Sequence, residues 1–123
     1  VRWLDYFPEA GMPELVRGAA MLVYPSLYEG FGLPVAQAMA CGVPCITSNT
    51  SCLPEIAGGA ALLVRPESPE EIRDAILRLA EHPEERARLG AAGRARAELL
   101  FRWERAARAS LQFFREITGR AAE

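Results

Sequence analysis

The sequence predicts an α/β fold, a parallel sheet with helices on both faces, followed by a helical segment. Three observations carry this prediction. Short apolar runs alternate with helix-like stretches through the first half of the chain, the pattern of strand–crossover–strand units. Met21–Pro25 is continuously apolar, as in a strand covered on both faces. Beyond residue 67 the texture changes to helix starts and apolar stripes. The chain therefore divides into an α/β part over 1–67 and a helical part over 68–123 of one domain.

Taken in order, Val1–Leu4 reads as a short strand. Met12–Ala20 follows Gly11, holds Pro13 in its first turn and places Leu15, Val16 and Ala19 on one side, so it reads as a short helix. Met21–Pro25 is the next strand. Pro34–Cys41 is a helix stopped by Gly42, and Val43–Thr47 a short buried strand. Ser48–Cys52 is a polar loop, Leu53–Ala57 a one-turn helix ended by Gly58 and Gly59, and Ala60–Val64 a last strand. Ser68 then caps a helix with Pro69 at its first position, and Glu71 completes the S-x-x-E box. Ile72, Ala75, Ile76 and Leu79 form that helix's stripe. Pro83 opens a second helix holding Ala87, Leu89 and Ala92. Trp103, Ala106, Ala107, Leu111, Phe114 and Ile117 mark a third.

Composition bounds the function. The chain has 123 residues, enough for one domain that buries ~65% of its unfolded surface. Half the residues are hydrophobic, 24% are charged and the net charge is −2, so nothing asks for nucleic acid. No apolar run reaches the ~18 residues of a membrane span, and the N-terminus is no signal peptide. Its abrupt, strand-like start reads as a piece of something larger. Cys41, Cys45 and Cys52, with His82 far away, do not supply the ligand spacing of a zinc site. They read as small buried hydrophobes in a reducing cytoplasm.

The chemistry concentrates in "YPSLYEGFGLPVAQAMACGVPCITSN", Tyr24 to Asn49. Ligands of open parallel sheets bind beyond the carboxyl ends of the strands, where Ser26–Gly32 lies. Gly30 and Gly32 permit close backbone approach, and the helix from Pro34 offers free N–H groups to an anion. Val35 stands where a dinucleotide fingerprint needs glycine, and the absence of lysine excludes a P-loop. A carboxylate repels phosphate, so Glu29 calls for hydroxyl donors while the neighbouring amides call for an anion. A nucleotide-sugar satisfies both. From the residues alone, a solvated turn or capping glutamate stands beside that reading.

The same stretch, with "SCLPEIAGGAALLVRPESPEEIRDAI" and the Phe-x-Trp-Glu of Phe101–Glu104, resembles the C-terminal nucleotide-sugar-binding domain of group 1 (family 4) retaining glycosyltransferases. The resemblance covers nearly the whole chain. It implies part of a GT-B fold with a Rossmann-like sheet, and a donor half of an enzyme that transfers a sugar with retention and without a bound metal or other cofactor. Glu29 maps onto the first glutamate of the family's E-x7-E motif and would meet donor-sugar hydroxyls as the catalytic-site residue. The amides of Gly30, Phe31, Gly32 and Leu33 would face sugar and diphosphate. Gln37 stands where the family's second glutamate holds the ribose diol. Tyr6 and Phe7 fall in the loop that meets the nucleobase.

The resemblance also marks departures. Gln37 keeps hydrogen bonding to a ribose but loses a charge-assisted bond worth ~1 kcal/mol over a neutral one. Two strands, a Gly-Arg loop and the acceptor-binding N-terminal domain, which would take a glycan, lipid or small molecule, are expected before Val1. The isolated piece, inactive alone, is then expected to self-associate through exposed strand edges or to be marginally stable. Arg102 stands where relatives cap the last helix with Ser or Thr. Glu55 reads as contacting local backbone. Thr47, Ser48 and Asn49 read either as loop satisfaction or as substrate contacts. The Arg-rich last helix reads as a solvated face, with peripheral attachment to the inner face of a membrane as its alternative. The rival functional class is a non-catalytic nucleotide-sugar- or nucleotide-binding module, or an inactive fragment that acts only as a scaffold.

Overall fold

A computed structural model describes residues 1–119; residues 120–123 of the predicted helical part lie outside the described residues. Elements follow in the order α1 (Met12–Arg17), β1 (Leu22–Tyr24), α2 (Leu33–Ala40), β2 (Cys45–Ser48), α3 (Leu53–Ala57), β3 (Leu62–Val64), α4 (Pro69–Glu81), α5 (Pro83–Leu100) and α6 (Trp103–Thr118). A 3-10 turn over Glu9–Gly11 leads into α1. The three strands are parallel in the order β1-β2-β3, with Val23 opposite Ile46 and Thr47 opposite Leu63.

The alternation of side chains along each strand divides the core into two layers. Cys45 packs with Val35, Met39, Leu53 and Ile56 of α2 and α3. Ile46 and Val64 pack with Ala75 and Leu79 of α4 and Leu89 of α5. Helices thus cover both faces, as predicted. Helix α5 serves both layers: Leu89 sits in one and Ala97 in the other.

Three predicted features differ. Val1–Leu4 is not a strand; it is irregular and exposed, and no described strand lies alongside to satisfy its backbone. Strand β1 is half-buried rather than covered on both faces, since it lies at the sheet edge and pairs only with β2. In α5, Ala87 and Ala92 are exposed, and the buried face is Leu89, Gly90, Gly93 and Ala97. Its two glycines let α5 lie close on α2. A Cβ on Gly90 would stand 2.3 Å from the Gly42 carbonyl oxygen, and one on Gly93 3.2 Å from Met39 Cγ.

The α4 cap forms by half. Ser68 Oγ accepts from the Glu71 N–H at 3.3 Å, but the Glu71 carboxylate turns to Arg65, accepting from its N–H at 2.7 Å and its Nε at 2.5 Å. The Ser68 N–H already donates to the Arg65 carbonyl, so the reciprocal bond has no donor to serve. At the α4–α5 junction Glu85 is 13% exposed and pairs with Arg78 and Arg88. The hydrogen bond from Arg78 holds the Glu85 carboxyl below its ordinary range. A depressed carboxyl stabilises the fold above its unfolded pKa, and that stabilisation is lost as pH falls through the folded value. Glu85→Gln should therefore lower the melting temperature at neutral pH, with wild type and variant converging only as pH falls through the folded carboxyl's value, which lies below the unfolded ~4.3. A melting-temperature difference that does not shrink at all with acidification would show that the ion pair is not its source.

Candidate functional site

The site is built at the carboxyl ends of β1 and β2. Residues 25–32 leave β1 and enter α2 through Gly32, whose φ of 83° is left-handed. A Cβ there would also stand 2.6 Å from Leu53 Cδ2, so glycine is required for two separate reasons. The loop that leaves β2 is laced to it. Ser48 Oγ donates to the Ser26 carbonyl at 2.5 Å, and Thr50 Oγ1 to the Leu27 carbonyl at 3.3 Å. Ser51 Oγ donates to the Glu29 carbonyl at 2.8 Å and accepts from the Glu29 N–H at 3.2 Å. The Cys52 thiol faces the same carbonyl at 3.2 Å.

Glu29 is half-buried, and its side chain is also held. Tyr24 Oη donates to Glu29 Oε1 at 2.5 Å, and Ser26 Oγ lies 3.0 Å from the same oxygen. The hydrogen bond to Glu29, burial and the carboxylate charge push the Tyr24 phenol above its ordinary range. After Glu29, the N–H groups of Gly30, Phe31, Gly32 and Leu33 donate to no protein acceptor among the described residues. Those of Gly32 and Leu33 are unsatisfied donors at the start of α2, and those of Gly30 and Phe31 extend the run back along the loop to four beside a positioned carboxylate.

The remaining predicted residues fall in different surroundings. Phe31 turns its ring edge-on to Phe101, centroids 5.7 Å apart at 81°, so its side chain packs while its amide stays free. Leu33 is exposed at the first turn of α2, and Gln37 is exposed one turn further on. Tyr6 is 83% exposed in the irregular segment before α1; Phe7 covers Gly11, its Cε1 3.0 Å from the position of a Cβ there. The pair shares no element with Glu29, and only Phe7 is packed.

The open alternatives at the end of β2 resolve by position. Thr47 and Ser48 are fully buried and spend their hydroxyls on the Tyr24 and Ser26 carbonyls, which is loop satisfaction. Asn49 is exposed. With Leu27, Thr50, Arg65 and Glu67 it lines an open groove of about 730 Å³ along the carboxyl ends of β2 and β3. Sequence reasoning missed this groove, because Arg65–Glu67 reads only as the link between two halves. Glu55 departs from expectation: its carboxylate makes no hydrogen bond among the described residues, while its carbonyl accepts from Arg96 Nη2 at 2.7 Å. The Cys45 thiol is buried and pushed up to about 12, whereas Cys41 and Cys52 are half-buried. Among the described residues no cluster of three His, Cys, Asp or Glu is placed to hold a metal, and no helix is long and apolar enough to cross a membrane.

The chain and its fold are similar to those of known proteins. Residues 1–96 match the family model described as "Glycosyl transferases group 1". The chain is 42% identical over 104 residues to the O-antigen chain mannosyltransferase B of Escherichia coli, which covers 85% of this chain and 27% of that protein. It is 38% identical over 111 residues to the MMP alpha-(1->4)-mannosyltransferase of Mycolicibacterium hassiacum, covering 88% and 27%. The structure superposes on sucrose-phosphate synthase from Thermosynechococcus elongatus with a TM-score of 0.80 and 35% identity, covering 87% of this chain and 27% of that one. The chain thus spans about a quarter of the length of the relatives it matches. The α/β fold expected of a GT-B domain is borne out, and the chain belongs to the group 1 glycosyl transferase family.

Proposed function

We propose that this chain is the donor-binding part of a retaining glycosyltransferase that takes a nucleotide-diphosphate-sugar. One observation carries the reading: a carboxylate held in place is followed directly by four unsatisfied backbone N–H groups. Sugar hydroxyls suit the carboxylate and a diphosphate suits the amides. In this reading Glu29 meets the sugar, Gly30–Leu33 meet the diphosphate, Gln37 meets the ribose, and Tyr6 and Phe7 meet the base. The donor half needs no metal, and the acceptor, a glycan, lipid or small molecule, is held elsewhere in the complete enzyme. Two relatives are named mannosyltransferases and a third is named GDP-mannose-dependent, so GDP-mannose is the first donor to test, with UDP-glucose as a second of different base and sugar. Calorimetry should show one nucleotide-sugar binding more tightly than its nucleoside diphosphate, with the difference lost in Glu29→Ala. Equal affinity for sugar-bearing and sugar-free ligands overturns the role of Glu29.

Gln37 supplies a second measurement. Gln37→Glu restores an acidic group one helical turn into α2 and should tighten nucleotide binding about fivefold, the effect of one charge-assisted hydrogen bond at roughly 1 kcal/mol. Unchanged or weaker affinity rules out a ribose contact at this position. The cytoplasm is the compartment that fits three free cysteines.

The edges of the sheet bear on assembly. The outer side of β1 is unpaired among the described residues, and α6 exposes Trp103, Leu111, Phe114 and Ile117. Both features favour self-association of the 123 residues when isolated. Sedimentation velocity should show species larger than a monomer; a single monomeric boundary at high concentration overturns this.

A further inference from the structure

Resting on the donor-binding reading, we propose that Tyr24 and Ser26 are positioning residues that hold one carboxylate oxygen of Glu29 so that the other is presented to the donor sugar. Both donors converge on the same atom: Tyr24 Oη at 2.5 Å and Ser26 Oγ at 3.0 Å from Oε1. Oε2 has no partner among the described residues. A carboxylate accepts through both oxygens, so this asymmetry leaves the lone pairs of Oε2 for a ligand. The single Ser26 proton also has the Tyr28 carbonyl at 3.2 Å, but the nearer, charged carboxylate is the stronger acceptor.

The donors are themselves fixed by the sheet. Tyr24 ends β1 opposite Thr47, whose hydroxyl donates to the Tyr24 carbonyl at 3.0 Å. The Ser26 carbonyl accepts from the buried Ser48 hydroxyl at 2.5 Å. The main chain of Glu29 is pinned separately, by Ser51. The side chain of Glu29 is thus referred to β1 and β2, and its backbone to the loop that leaves β2. A free glutamate would lose rotamer freedom on meeting a sugar; one already held by two donors has lost it on folding. Sites supported from rigid elements keep the geometry that a reacting group requires.

Five proteins decide the matter: wild type, Tyr24→Phe, Ser26→Ala, Glu29→Ala, and Tyr24→Phe in the Glu29→Ala background. In each, affinity for GDP and for GDP-mannose is measured by calorimetry, and kcat and KM for transfer are measured in the complete enzyme. Tyr24→Phe keeps the ring and should keep GDP affinity, while GDP-mannose affinity or kcat falls about tenfold; Ser26→Ala should cost about threefold. Tyr24→Phe should add nothing once Glu29 is gone. A parallel loss of GDP and GDP-mannose affinity, full additivity with Glu29→Ala, or no change in either single variant overturns the proposal. If Glu29→Ala is impaired and neither donor variant is, the positioning role alone fails. If Glu29→Ala behaves as wild type, the donor-binding reading fails and takes this role with it. The same series with UDP and UDP-glucose is the arm for a uridine donor, and binding of none of the four ligands overturns both.

Discussion

In the complete enzyme, Glu29→Ala is expected to lower sugar transfer by about a hundredfold or more while leaving the melting temperature within a few degrees of wild type. The size of the effect follows from what the residue does in the proposed reaction. A group that orients the sugar against its acceptor contributes through placement, and misplacement of a reacting centre by about 1 Å costs on the order of a hundredfold. The small effect on folding follows from the structure. Glu29 is only half-buried, and its backbone anchors to Ser51 do not involve the side chain. Removal does leave the Tyr24 hydroxyl without its acceptor, but that group is itself half-buried and accessible to water. Steady-state kinetics with a nucleotide-sugar reads the first quantity and differential scanning fluorimetry the second. Near-normal transfer would remove Glu29 from the site. A collapse of the melting temperature would mean that the carboxylate serves the fold, as a turn or capping group would.

The second large effect concerns α5, and its sign is the informative part. Alanine in place of glycine inside a helix ordinarily stabilises by up to about 1 kcal/mol. At Gly90 we expect the reverse, a loss of roughly 2–3 kcal/mol. The Cβ would lie 2.3 Å from the Gly42 carbonyl oxygen and 3.2 Å from the Gly42 carbonyl carbon. Those are backbone atoms of the turn after α2, itself held at a positive φ of 74°, so no side chain can swing aside. Relief requires α5 to lift from α2, loosening the layer that contains Met39 and Ala97. Gly18→Ala is the internal control: φ there is −75° and the nearest atoms to a Cβ are 3.5 Å away, so it should be neutral or mildly stabilising. Chemical denaturation of both variants gives the comparison. Equal behaviour of the two would show that α5 and α2 are not locked at Gly42.

Elements punctuated by Pro and Gly were legible from sequence, because those residues restrict or free the backbone independently of tertiary context. Leu53–Ala57 has the predicted bounds, and α2 and α4 begin where Pro34 and Pro69 mark their first turns. Features that depend on what lies alongside were not legible. Val1–Leu4 has strand-forming residues but no described neighbour, and the buried face of α5 uses glycines, which carry no hydrophobic signal. The loop at Glu29 was visible as chemistry through its carboxylate and glycines. Its supports were not, since Tyr24 reads as a strand residue and Ser51 as a turn, and 22 residues of chain separate Ser51 from Glu29. Ser51 even adopts a positive φ of 57° to make that contact, a conformation serine does not advertise.

The lacing between the two loops has a consequence for anyone who would exchange donor preference between relatives by grafting. The segment from Ser26 to Leu33 is joined to Ser48–Leu53 through Ser48, Thr50, Ser51, Cys52 and the contact of Leu53 with Gly32. Transplanting the glycine loop alone would leave its carbonyls facing foreign side chains, and a single-residue insertion between Asn49 and Cys52 would put the partners on its two sides out of step with one another. The two segments form one cassette, and a chimera inherits the geometry of its parent only when both are moved together.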